Sequence, residues 1–114
     1  MSLNTSYIPD RGDIVWMDFS PQAGSEQAGH RPALVMSSLS YNKFGLMLAC
    51  PITSVKKNRS FEVSINSQTI KGVVLADHIK NQDWHSRKAT FAGKASKDVI
   101  EKVFNMIVLL LDND

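Results

Sequence analysis

The sequence predicts a small, mainly β domain: a strongly bent sheet or partly open barrel, with short helical pieces and one C-terminal helix. Three observations predict it. Short segments rich in aromatic and β-branched residues recur along the chain between polar loops. Helical spacing of the apolar residues is sustained only in the last element. A chain of 114 residues has room for one core, burying roughly two-thirds of its surface on folding, so residues 1–114 are expected to form a single domain.

Ile14 to Phe19 alternates between apolar faces and lies between Gly12 and Pro21, which reads as the first strand. Pro21 to Gly29 is a polar loop carrying Gly24 and Gly29. Ala33 to Met36 is the second strand, and Leu46 to Ile52 the third, after a helical or turn segment around Leu39 to Gly45. A basic polar loop, Ser54 to Ser60, follows. Phe61 to Ile65, Val73 to Ala76 and Lys88 to Ala92 are further strands. Val99, Val103, Met106 or Ile107, and Leu110 then form a helical stripe, with Ser96 as N-cap and Asp98 near the positive end of the helix dipole. Ile100, Phe104, Leu109 and Leu111 lie beside that stripe, either flanking a wide core face or forming an oligomer surface.

Composition excludes several classes. At 43% hydrophobic and 21% charged, the chain is not a disordered or low-complexity segment. A lone Cys50 excludes a disulfide framework and a multi-thiolate zinc site, and His30, His78 and His85 lack paired metal-ligand spacing. No secretory signal is visible near Met1, and the apolar run Met106 to Leu111 is far shorter than the ~20 residues that span a bilayer. No metal, cofactor or membrane association is therefore expected, and a cytoplasmic protein is. The net charge of +2 hides an asymmetry. Residues 53–97 carry nine basic and three acidic side chains, whereas the remainder carries a net −4. Such a split suits either a polyanion-binding face or a solvated surface of mixed charge.

The densest chemistry lies in Gly24-Ser25-Glu26-Gln27-Ala28-Gly29-His30-Arg31-Pro32. Pro32 biases Arg31 toward an extended backbone, placing its guanidinium where the loop enters the second strand. A guanidinium held there offers a permanently charged fork to a phosphate. Thr53, just beyond Pro51, stands near a loop mouth, where its hydroxyl either donates to a phosphate oxygen or caps the turn. Cys50, in an apolar strand, reads as an inert core thiol.

Gly12 to Trp16, Gly24 to Ala33, Pro51-Ile52-Thr53 and Gly72 to Asp77 together resemble the MazF/PemK family of toxin endoribonucleases, over roughly Tyr7 to Leu110. The resemblance implies an SH3-like β-barrel with short helices and a C-terminal helix, assembled as a homodimer. It also implies a metal-independent endoribonuclease of a type II toxin–antitoxin system, cutting single-stranded RNA at short sequences. A cognate MazE/PemI-like antitoxin would inhibit it by laying an acidic segment across the RNA-binding face.

By that resemblance the family's arginine falls on Arg31, which would stabilise the phosphate, and its threonine on Thr53, a hydroxyl donor. Glu26 would be the base or would orient Arg31. Asp77 matches an aspartate assigned a catalytic role in some members, but those members carry arginine where this chain has Leu75, so Asp77 is read instead as serving RNA recognition or structure. His30 is a candidate acid, against which stands the rule that neighbours on an extended backbone point to opposite sides. Trp84, His85, Arg87 and Lys88 combine stacking surface with charge, and Lys56, Lys57 and Arg59 follow Thr53; all seven are expected to bind RNA. Trp16 is expected in the core or a dimer interface.

Two other classes remain open: a non-catalytic RNA- or protein-binding barrel, and a topoisomerase poison like the CcdB family. The Glu26/Arg31/Thr53 set argues against the first. Against the second, CcdB-type toxins act through a Trp-Gly-Ile tail, whereas this chain ends Leu111-Asp112-Asn113-Asp114.

Overall fold

A computed structural model describes residues 7–19 and 29–112. Its elements are β1 (Asp13–Phe19), β2 (Gly29–Val35), α1 (Leu39–Asn42), β3 (Leu46–Thr53), β4 (Glu62–Asn66), β5 (Lys71–Leu75), a 3₁₀ turn (Ala76–His78), β6 (Lys80–Asp83), β7 (Thr90–Lys94) and α2 (Lys97–Asp112). The strands form a curled antiparallel sheet in the order β4-β5-β3-β2-β1-β7, with β6 also paired to β3. The result is a half-barrel with a C-terminal helix, as the apolar pattern predicts.

Strand β3 organises this sheet. Its N-terminal half pairs with β6, from Leu46 opposite Asp83 to Ala49 opposite Lys80. Its last residues pair with β5, Ile52 opposite Val74 and Thr53 opposite Val73. The 3₁₀ turn interrupts the chain between these two partners. On the other side β2 pairs with β3 only from Val35–Ala49 to Ala33–Pro51. Beyond that pair β2 and β3 part, and Pro32 and Pro51, neither with an N–H to give, stand at the split.

Two cores lie on the two faces of the sheet. One gathers Ile14, Leu34, Met36, Cys50, Ile52, Val63 and Val74 beneath α2, which contributes the fully buried Val103 and the half-buried Val99, Ile100, Met106 and Ile107. The other holds Val15, Met17, Ala33, Val35, Met47 and Ala49, and is covered by Tyr7, Trp84 and Ala89. Strict alternation along β1 and β2 sends successive residues to opposite cores.

Polar anchors fix the covering segments. Asp13, almost fully buried, accepts hydrogen bonds from the Tyr7 hydroxyl (2.7 Å) and the Asp10 N–H (3.0 Å), and pairs with Lys94 at 2.7 Å. Burial, then the hydrogen bond to Asp13, push the Tyr7 phenol well above its ordinary range. Buried Asn42 donates to the Pro9 and Ser37 carbonyls, and its own carbonyl accepts the Trp84 indole N–H at 2.7 Å. The Ser96 hydroxyl caps α2 by accepting the Val99 N–H at 3.2 Å, as its sequence position suggests.

Three local expectations change. Strand β2 begins at Gly29, so His30 and Arg31 lie in the sheet rather than at a loop end. Strand β6, with only Gln82 buried, has no apolar pattern to reveal it; its pairing with β3 makes it a strand. Leu110 is exposed, because α2 extends past the sheet that covers its earlier turns. Ile100 packs as a flank of the core stripe, whereas Phe104, Leu109 and Leu111 stay exposed at 50%, 57% and 82%.

Candidate functional site

The parting of β2 from β3 opens a cleft of about 510 Å³. One wall carries Trp16, His30, Arg31 and Pro32; the other carries Ile52, Thr53 and Ser54; Thr69 and Ile70 of the β4–β5 turn and Lys71 at the start of β5 complete it. Residues distant in sequence thus converge because two strands lose each other as partners.

Thr53 is held from both sides. Its Oγ1 accepts the Val55 N–H at 3.2 Å, which leaves the hydroxyl proton for another acceptor. Behind it β5 approaches closely at Gly72. The β4–β5 turn is fixed in turn by the Thr69 hydroxyl, which donates to the Ala92 carbonyl on β7 at 3.3 Å. Arg31, half-buried, sits opposite Met17 in the β1–β2 ladder. His30 sits opposite Asp18, and its Nδ1 lies 2.5 Å from Asp18 Oδ1. The His30 ring lies parallel to that of Trp16, with centroids 6.4 Å apart and planes within 3°. Although β2 is extended, both His30 and Arg31 border the cleft, since it opens along the edge where β2 has no β3 beside it.

The structure therefore brings Arg31, Thr53 and His30 to one cleft. Glu26 lies outside the described residues. Asp77 does not line the cleft; it is in the 3₁₀ turn at the far end of β5, beside His78 and close enough to Cys50 to act on its thiol. Burial and the Asp77 charge push that thiol up to about 12, which matches an inert core cysteine.

Lys56, Lys57 and Arg59 are exposed on the loop that leaves Thr53. This loop has a defined course, because the Glu62 carboxylate accepts the N–H groups of Lys57 (3.1 Å) and Asn58 (3.0 Å). Trp84, His85, Arg87 and Lys88 form the turn between β6 and β7. Trp84 gives its N–H to Asn42 and packs its half-buried ring against the second core. His85 and Lys88 are exposed, and Lys88 adopts a left-handed backbone with φ of 55°. Arg87 ties this turn to β1: its guanidinium donates to the Asp18 carbonyl at 3.3 Å, and its own carbonyl accepts the Asp18 N–H at 2.8 Å. In the same turn the Ser86 N–H holds the Asp83 carboxyl below the usual carboxylate range.

Ser54, Thr69 and Lys71 line the cleft and Asp18 joins it through His30; sequence reading missed all four. Trp16, expected in the core or a dimer interface, packs on the core and also lines the cleft. The signal in the sequence was weak: Asp18 shares a strand face with Trp16, but its meeting with His30 depends on the β1–β2 register. Among the described residues there is no group of three or more His, Cys, Asp or Glu side chains placed to hold a metal. None of the described helices is long and apolar enough to cross a membrane.

A half-barrel whose parted strands bring an arginine, a threonine and a histidine to one open cleft has the chemical groups to hold a phosphodiester. Comparison with known proteins agrees, since residues 10–111 match the family of PemK-like, MazF-like toxins of type II toxin–antitoxin systems. The chain belongs to that family. It is 43% identical over 106 residues to the endoribonuclease toxin MazF of Escherichia coli K12, covering 92% of this chain and 96% of that one. It is 37% identical over 99 residues to the endoribonuclease toxin ChpB of the same organism, covering 82% and 85%. Among solved structures, MazE–MazF (Form-II) from Deinococcus radiodurans superposes with a TM-score of 0.87 at 47% identity, covering 96% of this chain and 100% of that one.

Proposed function

We propose that this chain is the toxin endoribonuclease of a type II toxin–antitoxin pair, cutting single-stranded RNA without a metal. The observation that carries this reading is the meeting of Arg31 and Thr53 on the two walls of one cleft. In the reaction the 2′-hydroxyl attacks the adjacent phosphorus and gives up its proton to a base. The bond to the 5′-oxygen breaks, and that oxygen takes a proton from an acid. The products carry a 2′,3′-cyclic phosphate, or its opened form, and a free 5′-hydroxyl. Arg31 stabilises the charge gathering on the nonbridging oxygens, and Thr53 donates its hydroxyl to one of them. Glu26 serves as base or orients Arg31, and His30 is the acid.

The exposed cations Lys56, Lys57, Arg59, His85 (when protonated) and Lys88 gather the RNA backbone, and Arg87 holds its turn near the cleft. The same cationic surface suits an acidic, extended antitoxin segment. Residues 1–114 act as one toxin domain. Phe104, Leu109 and Leu111, exposed on α2, support a homodimer. A toxin acting on RNA works in the cytoplasm, where its substrate is.

The test is purified protein on a long single-stranded RNA in EDTA, beside Arg31→Ala, with cut ends mapped by sequencing. Discrete cuts with 5′-hydroxyl ends that vanish in the variant are expected. Intact RNA after exposure to folded wild-type protein overturns the reading.

A further inference from the structure

Beside the cleft, paired with His30, stands a carboxylate to which the proposed reaction gives no task. We propose that Asp18 is a positioning residue that makes His30 the proton donor to the leaving 5′-oxygen. This rests on the ribonuclease reading above. Strand register sets the two residues directly opposite on β1 and β2, and Nδ1 of His30 meets Oδ1 of Asp18 at 2.5 Å. The Trp16 ring lies parallel to the imidazole, so a planar wall and a carboxylate together define the ring's orientation. Asp18 is anchored through its own backbone, which exchanges hydrogen bonds with Arg87.

A surface ion pair of this kind, with side chains 50% and 47% exposed, contributes little to stability. Its consequence is chemical. A carboxylate on Nδ1 holds a proton on that nitrogen and fixes which edge of the ring faces away from Asp18. In the protonated ring Nε2–H is then the donor left for the cleft. As the P–O5′ bond breaks, its electron pair goes to O5′ and the Nε2 proton follows. The imidazole left behind keeps Nδ1–H on Asp18, and solvent returns the lost proton. The groups around the ring divide the work: Asp18 orients the imidazole, while Arg31 on the same strand and Lys71 across the cleft are left for phosphate.

The experiment compares wild type, Asp18→Asn, His30→Ala and the double variant on two substrates. One is an ordinary single-stranded RNA containing a mapped cleavage site. The other carries sulfur in place of the bridging 5′-oxygen there, a leaving group that needs no proton. On ordinary RNA each single variant is expected to lose kcat on the order of a hundredfold with KM little changed, and the double variant no more than His30→Ala alone. On the sulfur substrate all three recover to within a few-fold of wild type. A merely structural role for Asp18 would lower both rates alike. Unchanged cleavage of ordinary RNA by Asp18→Asn, a loss not rescued by sulfur, or additive losses in the double variant each overturn the assignment while the ribonuclease reading stands. Wild-type protein inactive on both substrates overturns the ribonuclease reading and this assignment with it.

Discussion

Gly72 and Thr53 meet backbone to backbone: a β-carbon on Gly72 would stand 2.2 Å from the Thr53 carbonyl oxygen, and Gly72 has φ of +153°. The missing side chain lets β5 press against the end of β3 and hold Thr53 at the cleft. Gly72→Ala must force the strands apart where Ile52 and Thr53 pair with Val74 and Val73. Destabilisation of about 1–3 kcal/mol is expected from the clash, measured by urea unfolding. RNA cleavage should fall further than stability alone accounts for at a temperature where the variant is folded.

Thr53 separates two properties of one side chain. Thr53→Val keeps the shape and removes the hydroxyl; it should lower kcat by roughly a hundredfold if the group donates to the phosphate in the transition state. Thr53→Ser keeps the donor and the acceptor for the Val55 N–H, and should retain most of the activity. Steady-state cleavage of a short RNA distinguishes them. Equal activity in Thr53→Val and wild type would remove the hydroxyl from the mechanism.

Lys56 and Lys57 extend from the loop that starts at Thr53, on a course set by Glu62. Alanine at both should weaken RNA binding while leaving the cleft intact. The slope of log affinity against log salt should become shallower by about 0.7 for each phosphate that the protein no longer neutralises. Titrations at several salt concentrations with a variant inactivated at Arg31 provide the readout, and an unchanged slope would assign RNA binding elsewhere.

Cys50 gives a prediction with a defined sign. Its folded thiol holds its proton up to about 12, against an ordinary value of 9.0. The unfolded chain loses that proton first, so between pH 9 and about 12 stability falls as pH rises, with no contribution from this group at lower pH. Relative to wild type, Cys50→Ala should show a flatter decline across that alkaline window in unfolding experiments. Iodoacetamide should leave the folded protein unmodified at pH 8 and label it once unfolded.

Much of the fold is legible in the chain because its signals are local. The Ile14–Phe19 alternation, the Ser96 cap and the helical period from Val99 each express a preference settled within a few residues. The family resemblance rests on linear runs such as Gly24 to Ala33, so Arg31 and Thr53 are identifiable without any geometry. Strand β6 escapes because Lys80 to Asp83 is polar, and only β3 beside it supplies the pairing that makes it a strand. Trp84 reads as a stacking platform by composition; its hydrogen bond to Asn42, 42 residues away, is a contact that composition could not reveal.

Most of the elements, the apolar faces and the chemical groups on offer follow from the chain alone, since periodicity, proline and capping preferences act over short distances. Which of those groups meet depends on how the strands pair. Arg31 and Thr53 share a cleft because the β2–β3 ladder stops at Ala33 and Pro51. Asp18 reaches His30 because the β1–β2 register puts them opposite each other. A one-residue slip would turn each strand's side chains to the other face, and that register is enforced by two cores packed on opposite sides of the same sheet.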